Sequence, residues 1–467
     1  MPYKKIDIDD ISALRELAGS ENILVGEAIG EDYTHDEMPE YGHANPEVVI
    51  VARSAEQISK IMAYANDHNI CVTTRGSGTG LVGACVPIHG GIVLSTHKMD
   101  KILELDTQTM TAVVQPGVLL MKLAAAAEAI GCLYAPDPGE KSATVGGNVS
   151  TNAGGMRAIK YGVTRDYVKG MEVVLANGNI VQFGGRVSKN SSGYSLKDLM
   201  VGSEGTLGII TKLYLKLLPK PKKFVSLLVP FNDFHTCLAT VQQVITLPEV
   251  CTTLEFMEKE VLDDAQEYLG KEFPDKGSPA YLIVSYSANS NEALKPMIDV
   301  CADTCMRSGA KDVFVSDTTE RQGLLWSARG AFLEAIKNST PSMDECDVVV
   351  PLIHVAGYLD YARELSKQYN VRIRSFGHAG DGNLHIYVCK DNIDDVTWAT
   401  TVSACMDALY IKAIEMEGQV SGEHGIGHAK RTYLKQSLGE VQINLMKNIK
   451  LSFDPKGILN PSKIFDL

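Results

Sequence analysis

Two histidines seven positions apart bracket a segment that reads H-A-G-D-G-N-L-H, from His378 to His385. Its glycines and its aspartate make a helix implausible. We therefore expect a turn that leads into a strand from Leu384 to Val388, on which His385 and Tyr387 share a face. The histidine of the turn and the histidine of the strand can then converge. For either one alone, capping a turn or making a hydrogen bond in the core is the simpler interpretation.

A carboxylate would complete a set of metal ligands, and Glu423 is the candidate. It lies in the segment S-G-E-H-G-I-G-H, Ser421 to His428. Two histidines and one carboxylate leave open metal positions at which a substrate can bind. His424, the next residue, would stay available for proton transfer. The two segments together indicate a metal centre with a neighbouring acid–base group.

A glycine-rich segment, R-G-S-G-T-G-L-V-G-A-C, extends from Arg75 to Cys85. Glycine tolerates positive φ, and successive exposed N–H groups in such a loop form an anion-binding concavity. Arg75 adds a cation with forked donors, so a pyrophosphate is the expected ligand. Three of the glycines match G-x-G-x-x-G, but a Rossmann turn must open a helix. Here the chain runs into a turn and a strand at Ile92–Ser95, and a glycine-rich turn without a ligand is the alternative.

Two further stretches are rich in small residues. Residues Pro136–Gly155 read P-D-P-G-E-K-S-A-T-V-G-G-N-V-S-T-N-A-G-G, and Gly202–Thr211 read G-S-E-G-T-L-G-I-I-T. The first is predicted to be a long loop, because its glycine content is too high for the interior of a helix or strand. Small residues beside paired glycines suit a backbone that packs against a flat ligand, and a plain surface loop is the alternative.

Hydrophobic periodicity predicts the elements that position these stretches. Val48–Val51 is a short apolar strand, and Ser54 with Gln57 forms a capping-box pattern before a helix. Ile70–Thr74 is the next strand, which delivers the first glycine loop at its end. In the second half of the chain, strands such as Tyr281–Val284 alternate with helices, the pattern of an α+β domain.

Length and composition restrict the class of protein. A chain of 467 residues, with 45% hydrophobic and 22% charged residues, is globular and long enough for more than one domain. Its net charge of −13 argues against nucleic acid as a partner. We see neither a signal peptide nor an apolar run near the ~18 residues of a membrane span. The ten cysteines are dispersed, without zinc or iron–sulfur spacing. Reduced thiols and a cytoplasmic location are therefore expected.

The three glycine-rich stretches, in this order, resemble the FAD domain of flavoproteins related to vanillyl-alcohol oxidase and p-cresol methylhydroxylase. With the histidine motifs, nearly the whole chain resembles the FAD-linked D-2-hydroxyacid dehydrogenases. The resemblance implies an α+β fold: a two-part FAD-binding domain (1–222), an α+β substrate or cap domain with an antiparallel sheet (223–420), and a C-terminal segment (421–467) that returns to the FAD site.

The resemblance also implies which residues bind FAD. They belong to the glycine-rich stretches and are Arg75, Gly76, Ser77, Gly78, Thr79, Gly80, Leu81, Pro136, Asp137, Ser142, Thr144, Gly146, Gly147, Asn148, Asn152, Gly154, Gly155, Glu204, Gly205, Ile209 and Ile210. Members that bind FAD covalently usually carry a histidine in the first loop. No histidine stands between Arg75 and Pro87, so non-covalent FAD is expected.

By the same resemblance, His378, His385 and Glu423 are ligands of one divalent ion (Zn, Fe or Mn). His424 is the catalytic base. As our own proposal for the mechanism, we expect hydride to pass from substrate C2 to flavin N5. Asn383 is similar to a position that contacts substrate. Arg329 resembles the arginine that holds the substrate carboxylate, although a surface ion pair would be its simpler interpretation.

One departure from the family bears on the substrate. The 2-hydroxyglutarate enzymes place a lysine where this chain has Met343-Asp344-Glu345-Cys346. An acidic stretch should repel a second carboxylate, so a monocarboxylate is expected, D-lactate first and glycolate next. A non-catalytic FAD relay subunit, or a flavin enzyme of this fold with another kind of substrate, such as a phenol, is the alternative. A binding module without catalysis is the weakest candidate.

The reduced flavin must pass its electrons on. The sequence carries no iron–sulfur motif, no haem motif and no Rossmann turn for a nicotinamide. Relatives of this type hand electrons to a separate protein. We expect an electron-transferring flavoprotein as the acceptor, with an iron–sulfur subunit as the second choice.

Overall fold

The computed structural model describes residues 3–467, with Pro39 described by its backbone alone. In chain order the strands are β1 (Ile23–Val25), β2 (Val48–Val51), β3 (Val72–Arg75), β4 (Ile92–Ser95), β5 (Ile102–Asp106), β6 (Thr111–Val114), β7 (Cys132–Leu133), β8 (Val168–Val174), β9 (Ile180–Gly184), β10 (Ile209–Lys216), β11 (Leu218–Pro219), β12 (Lys223–Phe231), β13 (Thr253–Glu258), β14 (Ala280–Ala288), β15 (Phe314–Ser316), β16 (Met343–Val349), β17 (Arg372–His378) and β18 (Asn383–Cys389).

The helices, also in chain order, are α1 (Ile8–Ala18), α2 (Ala55–His68), α3 (Leu120–Ala129), α4 (Val145–Thr151), α5 (Ala158–Tyr161), α6 (Leu196–Met200), α7 (Phe234–Ile245), α8 (Lys259–Leu269), α9 (Asn291–Arg307), α10 (Thr319–Gly330), α11 (Phe332–Ser339), α12 (Val355–Tyr369), α13 (Asp395–Glu415) and α14 (Arg431–Phe453). Helix α14 is interrupted at Gly439, whose φ is +74°. Among the helices of the described chain, none combines the length and the apolar character needed to cross a bilayer.

The chain divides into two compact units. The first unit comprises the chain up to Gly154, Val163–Lys220 and Glu423–Leu467, and the second comprises Gly155–Gly162 and Pro221–Gly422. Each has its own sheets and its own hydrophobic core.

The first unit contains two larger sheets. One has the strand order β1-β2-β4-β3, and the other is an antiparallel sheet with the order β5-β6-β10-β8-β9. Helix α2 connects β2 to β3, and its Ile58, Ile61 and Met62 are fully buried. Between β3 and β4 the chain forms turns and no helix. The predicted strand–helix–strand–loop unit is therefore confirmed, and so is the absence of a Rossmann turn after the first glycine loop.

The sequence predicts one long loop for the second glycine-rich stretch, and this prediction is wrong. The stretch contains α4, whose N-cap Thr144 accepts a hydrogen bond from the Gly147 N–H at 3.3 Å. Gly146 shows why glycine is tolerated in this helix. A Cβ at Gly146 would lie 2.5 Å from the Cβ of Pro116, so only glycine lets the helix pack so closely there. Tertiary packing overrides the low helix propensity of the sequence.

The second unit is built on an antiparallel sheet with the order β15-β12-β14-β13-β17-β18-β16. This confirms the predicted α+β class and its antiparallel sheet. Strands β17 and β18 form a hairpin in which Phe376 pairs with His385 and His378 pairs with Asn383. His378 is the last residue of β17 and does not lie in the turn as predicted, because the register extends the strand to the end of the hairpin.

Candidate functional site

The first glycine loop is built around Arg75, which is 6% exposed and turns inward. Its Nη1 donates to the His35 carbonyl at 2.7 Å, and its guanidinium occupies the space that a side chain at Gly78 would need. Asp36 accepts from the Gly83 N–H at 2.6 Å. Arg75 and Asp36 therefore fix the loop from behind, and burial raises the pKa of Asp36 to about 6.

The outer side of this loop fits a phosphate group. Within the described chain, the backbone N–H groups from Gly76 to Leu81 have no hydrogen-bond partner, and these residues are half-buried or exposed. Such consecutive donors form a concave site for an anion. The predicted pyrophosphate position is thus compatible with the backbone alone, without the guanidinium of Arg75.

The second glycine-rich stretch lies against the first. The Ser77 hydroxyl donates to the Ser142 carbonyl at 2.8 Å. A Cβ at Gly76 would lie 2.2 Å from Oγ1 of Thr144, so the two segments meet backbone to side chain. Asn148 in α4 is buried. Gly154 lies against Glu423, since a Cβ there would be 2.6 Å from Oε2 of that glutamate.

The third stretch joins α4 to the C-terminal segment through Glu204. Its backbone N–H donates to the Ser150 carbonyl at 2.8 Å. Its carboxylate accepts from the N–H groups of Ile426 and Gly427, both at 2.7 Å. Burial raises the pKa of Glu204 to about 7, against the effect of these two donors. Glu204 therefore organises the segments of the first unit, and its side chain is engaged with protein.

The remaining predicted FAD residues divide between the two units. Asp137 forms an ion pair with Lys141. Ile209 and Ile210 open β10 and are buried. Gly155 belongs to the second unit, whereas the other predicted FAD residues lie in the first. The first unit thus contains an exposed glycine cradle of the kind that FAD requires.

His378 and His385 converge in the second unit. Their rings are 5.4 Å apart at an angle of 87°, and both offer a ring nitrogen within 4.8 Å of the other. They are 6% and 4% exposed. The predicted convergence of the two histidines is confirmed.

A carboxylate stands behind each histidine. Nδ1 of His378 lies 2.8 Å from Oε1 of Glu255, and Nδ1 of His385 lies 3.3 Å from Oε1 of Glu345. Metal-binding histidines usually give their second ring nitrogen to such an acceptor. The hydrogen bond at Nδ1 of His378 makes Nε2 the metal-binding nitrogen of that ring. Each histidine offers a ring nitrogen within 4.8 Å of the other, so the pair suits a divalent ion.

Arg329, on α10, forms a buried ion pair. Its Nε donates to Oε2 of Glu255 at 2.8 Å, and its Nη2 lies 2.6 Å from the same oxygen. The guanidinium carbon lies 4.7 Å from the ring centre of Phe376 and 5.4 Å from that of Phe332. Burial opposes ionisation of Glu255, but His378 and Arg329 together lower its pKa.

Asn383 is held by a second buried acid, Asp347. Its Nδ2 donates to Oδ1 of Asp347 at 2.8 Å and to the Val348 carbonyl at 2.9 Å. Asp347 also accepts from the Ser421 hydroxyl at 2.8 Å and from the Gly422 N–H at 3.2 Å. The strand that carries Asn383 and the segment that leads to Glu423 are therefore fixed to one carboxylate.

Glu423 and His424 follow Gly422 directly and open the last segment of the first unit. Oε1 of Glu423 lies 3.9 Å from Nε2 of His424, and their side chains are 12% and 15% exposed. Consecutive Cα atoms are about 3.8 Å apart. The backbone of Glu423 is therefore next to Gly422, whose N–H donates to Asp347.

Sequence reasoning had missed Glu255 and Asp347 as site residues and had treated Glu345 only as part of an acidic stretch. All three are buried. The available signal was a charged residue inside an apolar strand, as in T-L-E-F-M for Glu255 and C-D-V-V-V for Asp347. A buried charge needs partners, so each such position marks a polar network.

The chain belongs to the FAD-linked oxidase family: residues 220–464 match the family described as FAD linked oxidases, C-terminal domain, and residues 46–184 match an FAD binding domain. It is an FAD-linked oxidoreductase. It is similar to a D-lactate dehydrogenase of Anaerostipes hadrus, at 49% identity over 99% of this chain and 98% of that protein. It is also similar to glycolate oxidase subunit GlcD of Bacillus subtilis (strain 168), at 38% identity over 97% and 96%.

Solved structures with the same fold are more distant in sequence. The structure of p-cresol methylhydroxylase with substrate bound has a TM-score of 0.82 at 19% identity, covering 99% of this chain and 98% of that one. A 4-ethylphenol oxidase from Gulosibacter chungangensis has a TM-score of 0.79 at 17% identity, covering 100% and 99%. These likenesses confirm the predicted vanillyl-alcohol oxidase and p-cresol methylhydroxylase type of fold.

Proposed function

We propose that this enzyme oxidises a D-2-hydroxy acid to the 2-oxo acid, with D-lactate favoured and glycolate next. The observation that carries the proposal is the pair of buried histidines with a carboxylate behind each ring. A D-lactate dehydrogenase and a glycolate oxidase subunit among the relatives, both similar over almost their whole length, support the substrate class.

The metal would be held by His378, His385 and Glu423. Two imidazoles and a carboxylate suit Zn, Fe or Mn, and a divalent ion supplies a Lewis acid when bound. Glu423 is proposed as the third ligand because it directly follows Gly422, whose N–H donates to Asp347. His385→Ala should abolish binding of one equivalent of metal while FAD stays bound, since the glycine cradle lies in the other unit. His235→Ala, at an exposed histidine of the second unit, is the matched control.

Three side chains have proposed roles in binding and proton transfer. Arg329 holds the substrate carboxylate through Nη1, which makes no hydrogen bond within residues 3–467. Asn383 orients the substrate, and His424 takes the proton of the C2 hydroxyl. Bound FAD supplies the two-electron acceptor.

The preference for a monocarboxylate is proposed from Glu345. This residue is 3% exposed, lies beside His385, and accepts a hydrogen bond from the Tyr387 hydroxyl at 2.7 Å. A negative charge there disfavours a second carboxylate on the substrate by repulsion. Turnover with D-2-hydroxyglutarate should therefore be much slower than with D-lactate, and equal turnover would contradict this part of the proposal.

The deciding experiment is anaerobic reduction of the bound flavin. A panel of D- and L-2-hydroxy acids is mixed with the purified yellow protein, and bleaching of the flavin absorbance is followed. D-lactate should bleach it fastest, and the L-isomers should not. If no 2-hydroxy acid reduces the flavin but a phenol does, the substrate class is wrong.

We further propose non-covalent FAD and a separate protein as electron acceptor, with an electron-transferring flavoprotein first and an iron–sulfur subunit second. Acid or heat should release the FAD without proteolysis. With D-lactate, the isolated chain should turn over rapidly with an artificial dye and poorly with NAD or oxygen. Added electron-transferring flavoprotein should replace the dye. Peroxide formation at the dye rate would show a self-sufficient oxidase instead.

A further inference from the structure

We propose that Glu255 is a positioning residue with two partners. It holds His378 in the tautomer that can bind a metal, and it orients Arg329, which receives the substrate carboxylate. This rests on the metal site of the proposed function. Glu255 is fully buried in β13, in register with His378 on β17.

The two carboxylate oxygens of Glu255 are shared between these partners. Oε1 lies 2.8 Å from Nδ1 of His378, and Oε2 lies 3.0 Å from the same nitrogen. Oε2 also accepts from Nε of Arg329 at 2.8 Å and lies 2.6 Å from its Nη2. A fully buried carboxylate is costly unless it is paired and hydrogen-bonded, and these two side chains provide both. Glu255 is therefore the connection between the two groups.

The pairing determines which ring nitrogen of His378 can bind a metal. An ionised carboxylate only accepts hydrogen bonds, so Nδ1 carries the hydrogen. Nε2 is then the ring nitrogen that carries a lone pair for a metal ion. A ring nitrogen of His378 lies within 4.8 Å of one of His385. Loss of an outer carboxylate of this kind typically weakens metal binding about 10–100-fold.

The same carboxylate fixes Arg329. Two of its three guanidinium nitrogens face Glu255, and two aromatic rings flank the group. With Nε and Nη2 engaged, the guanidinium cannot rotate without breaking both contacts, so Nη1 keeps one direction. A change at Glu255 should consequently affect metal binding and substrate binding together, although Glu255 touches neither.

The test is Glu255→Gln in the full FAD-loaded chain, stripped of metal by a chelator and titrated with Mn²⁺ or Zn²⁺ in a calorimeter. Glutamine keeps the volume and removes the charge. We expect about 10–100-fold weaker metal binding, a raised KM for D-lactate, and unchanged FAD content. Glu258→Gln is the matched control: it lies on the same strand and is paired with Arg363 at 3.1 Å. It should bind metal as the wild type does.

The outcomes separate this inference from the proposed function. If the wild type binds no metal, the proposed metal site fails. If the wild type binds metal and Glu255→Gln binds it equally well, the role of Glu255 is overturned. Should Glu255→Gln fail to fold, Glu255→Asp decides. It keeps the charge but is too short to reach both partners, so it should fold and still lose metal affinity, and wild-type affinity in it would overturn the inference.

Discussion

At the scale of single residues, the candidate site contains buried carboxylates that contact its polar side chains. Glu255, Glu345 and Asp347 contact His378, His385 and Asn383 respectively. The acids lie on strands, where burial and register leave them little freedom. Such supporting residues set the precision of a site, because they determine the orientation of the groups that meet the ligand.

His424→Ala tests the proposed base. The residue follows Glu423 but is not one of the proposed metal ligands, so the variant should keep both metal and FAD. Turnover with D-lactate should fall by ~10²–10⁴-fold, the usual contribution of a general base. Rapid-mixing measurement of flavin reduction isolates the chemical step. Reduction at the wild-type rate would assign the proton transfer to another group.

At the scale of elements, two helices carry polar or packing features that can be tested separately. Helix α1 begins with a capping box, in which Asp7 accepts from the Asp10 N–H and Asp10 accepts from the Asp7 N–H. Helix α4 contains Gly146 packed on Pro116. The first feature depends on pH, and the second depends on volume.

Asp10→Asn should lower stability in a pH-dependent way. Burial alone would raise the pKa of Asp10, but hydrogen bonds from Lys4, Asp7 and Tyr64 lower it to about 2. Because this pKa is lowered, the ionised carboxylate stabilises the fold at any pH above the ordinary pKa of an aspartate, about 4. The stabilisation is lost as the pH falls from about 4 to about 2. The variant should be destabilised by ~1–3 kcal/mol at pH 7. Denaturant unfolding should show the difference shrinking below pH 4, and a constant difference would contradict the assignment.

Gly146→Ala should destabilise the first unit and weaken FAD binding. Its Cβ would lie 2.5 Å from the Cβ of Pro116 and 2.9 Å from its carbonyl oxygen, so the helix would have to move. Overpacking of this kind costs ~1–3 kcal/mol. Gly323→Ala is the control, since Gly323 is an exposed position of α10 and nothing lies within 4 Å of a Cβ there. It should be neutral or stabilising in thermal unfolding, because alanine favours a helix more than glycine does. A similar loss in both variants would contradict packing against Pro116 as the cause.

At the scale of the whole molecule, the C-terminal segment is tied into the first unit. Leu459 forms a parallel bridge with Val72 of β3, and the Asn460 N–H donates to the Val72 carbonyl at 2.8 Å. Asn460 also donates from Nδ2 to the Glu204 carbonyl at 2.7 Å. The end of the chain thus supports the third glycine-rich stretch.

Lys450→Met tests this support. Lys450 is 3% exposed, donates to the Thr206 carbonyl at 2.6 Å, and pairs with the fully buried Asp454. Removing the lysine leaves a buried carboxylate without its cation, which costs ~3–5 kcal/mol. Lys456→Met, at an exposed lysine of the same segment, is the control. The free energy of unfolding, measured with denaturant, and the amount of FAD retained should fall only in Lys450→Met. Equal stability of the two variants would contradict this role.

The sequence by itself determined the features that depend on neighbours along the chain. Periodicity located β2, α2 and the loop after β3, and the spacing from His378 to His385 indicated that two rings converge. Local sequence could not determine α4, since its packing against Pro116 outweighs two glycines. Nor could it pair Glu255 with Arg329, 74 positions away, because sheet register and burial select that partner. Only the tertiary structure decides which charged groups are buried together. Burial removes water from them, and folding must bring an oppositely charged partner close to each one to offset this cost.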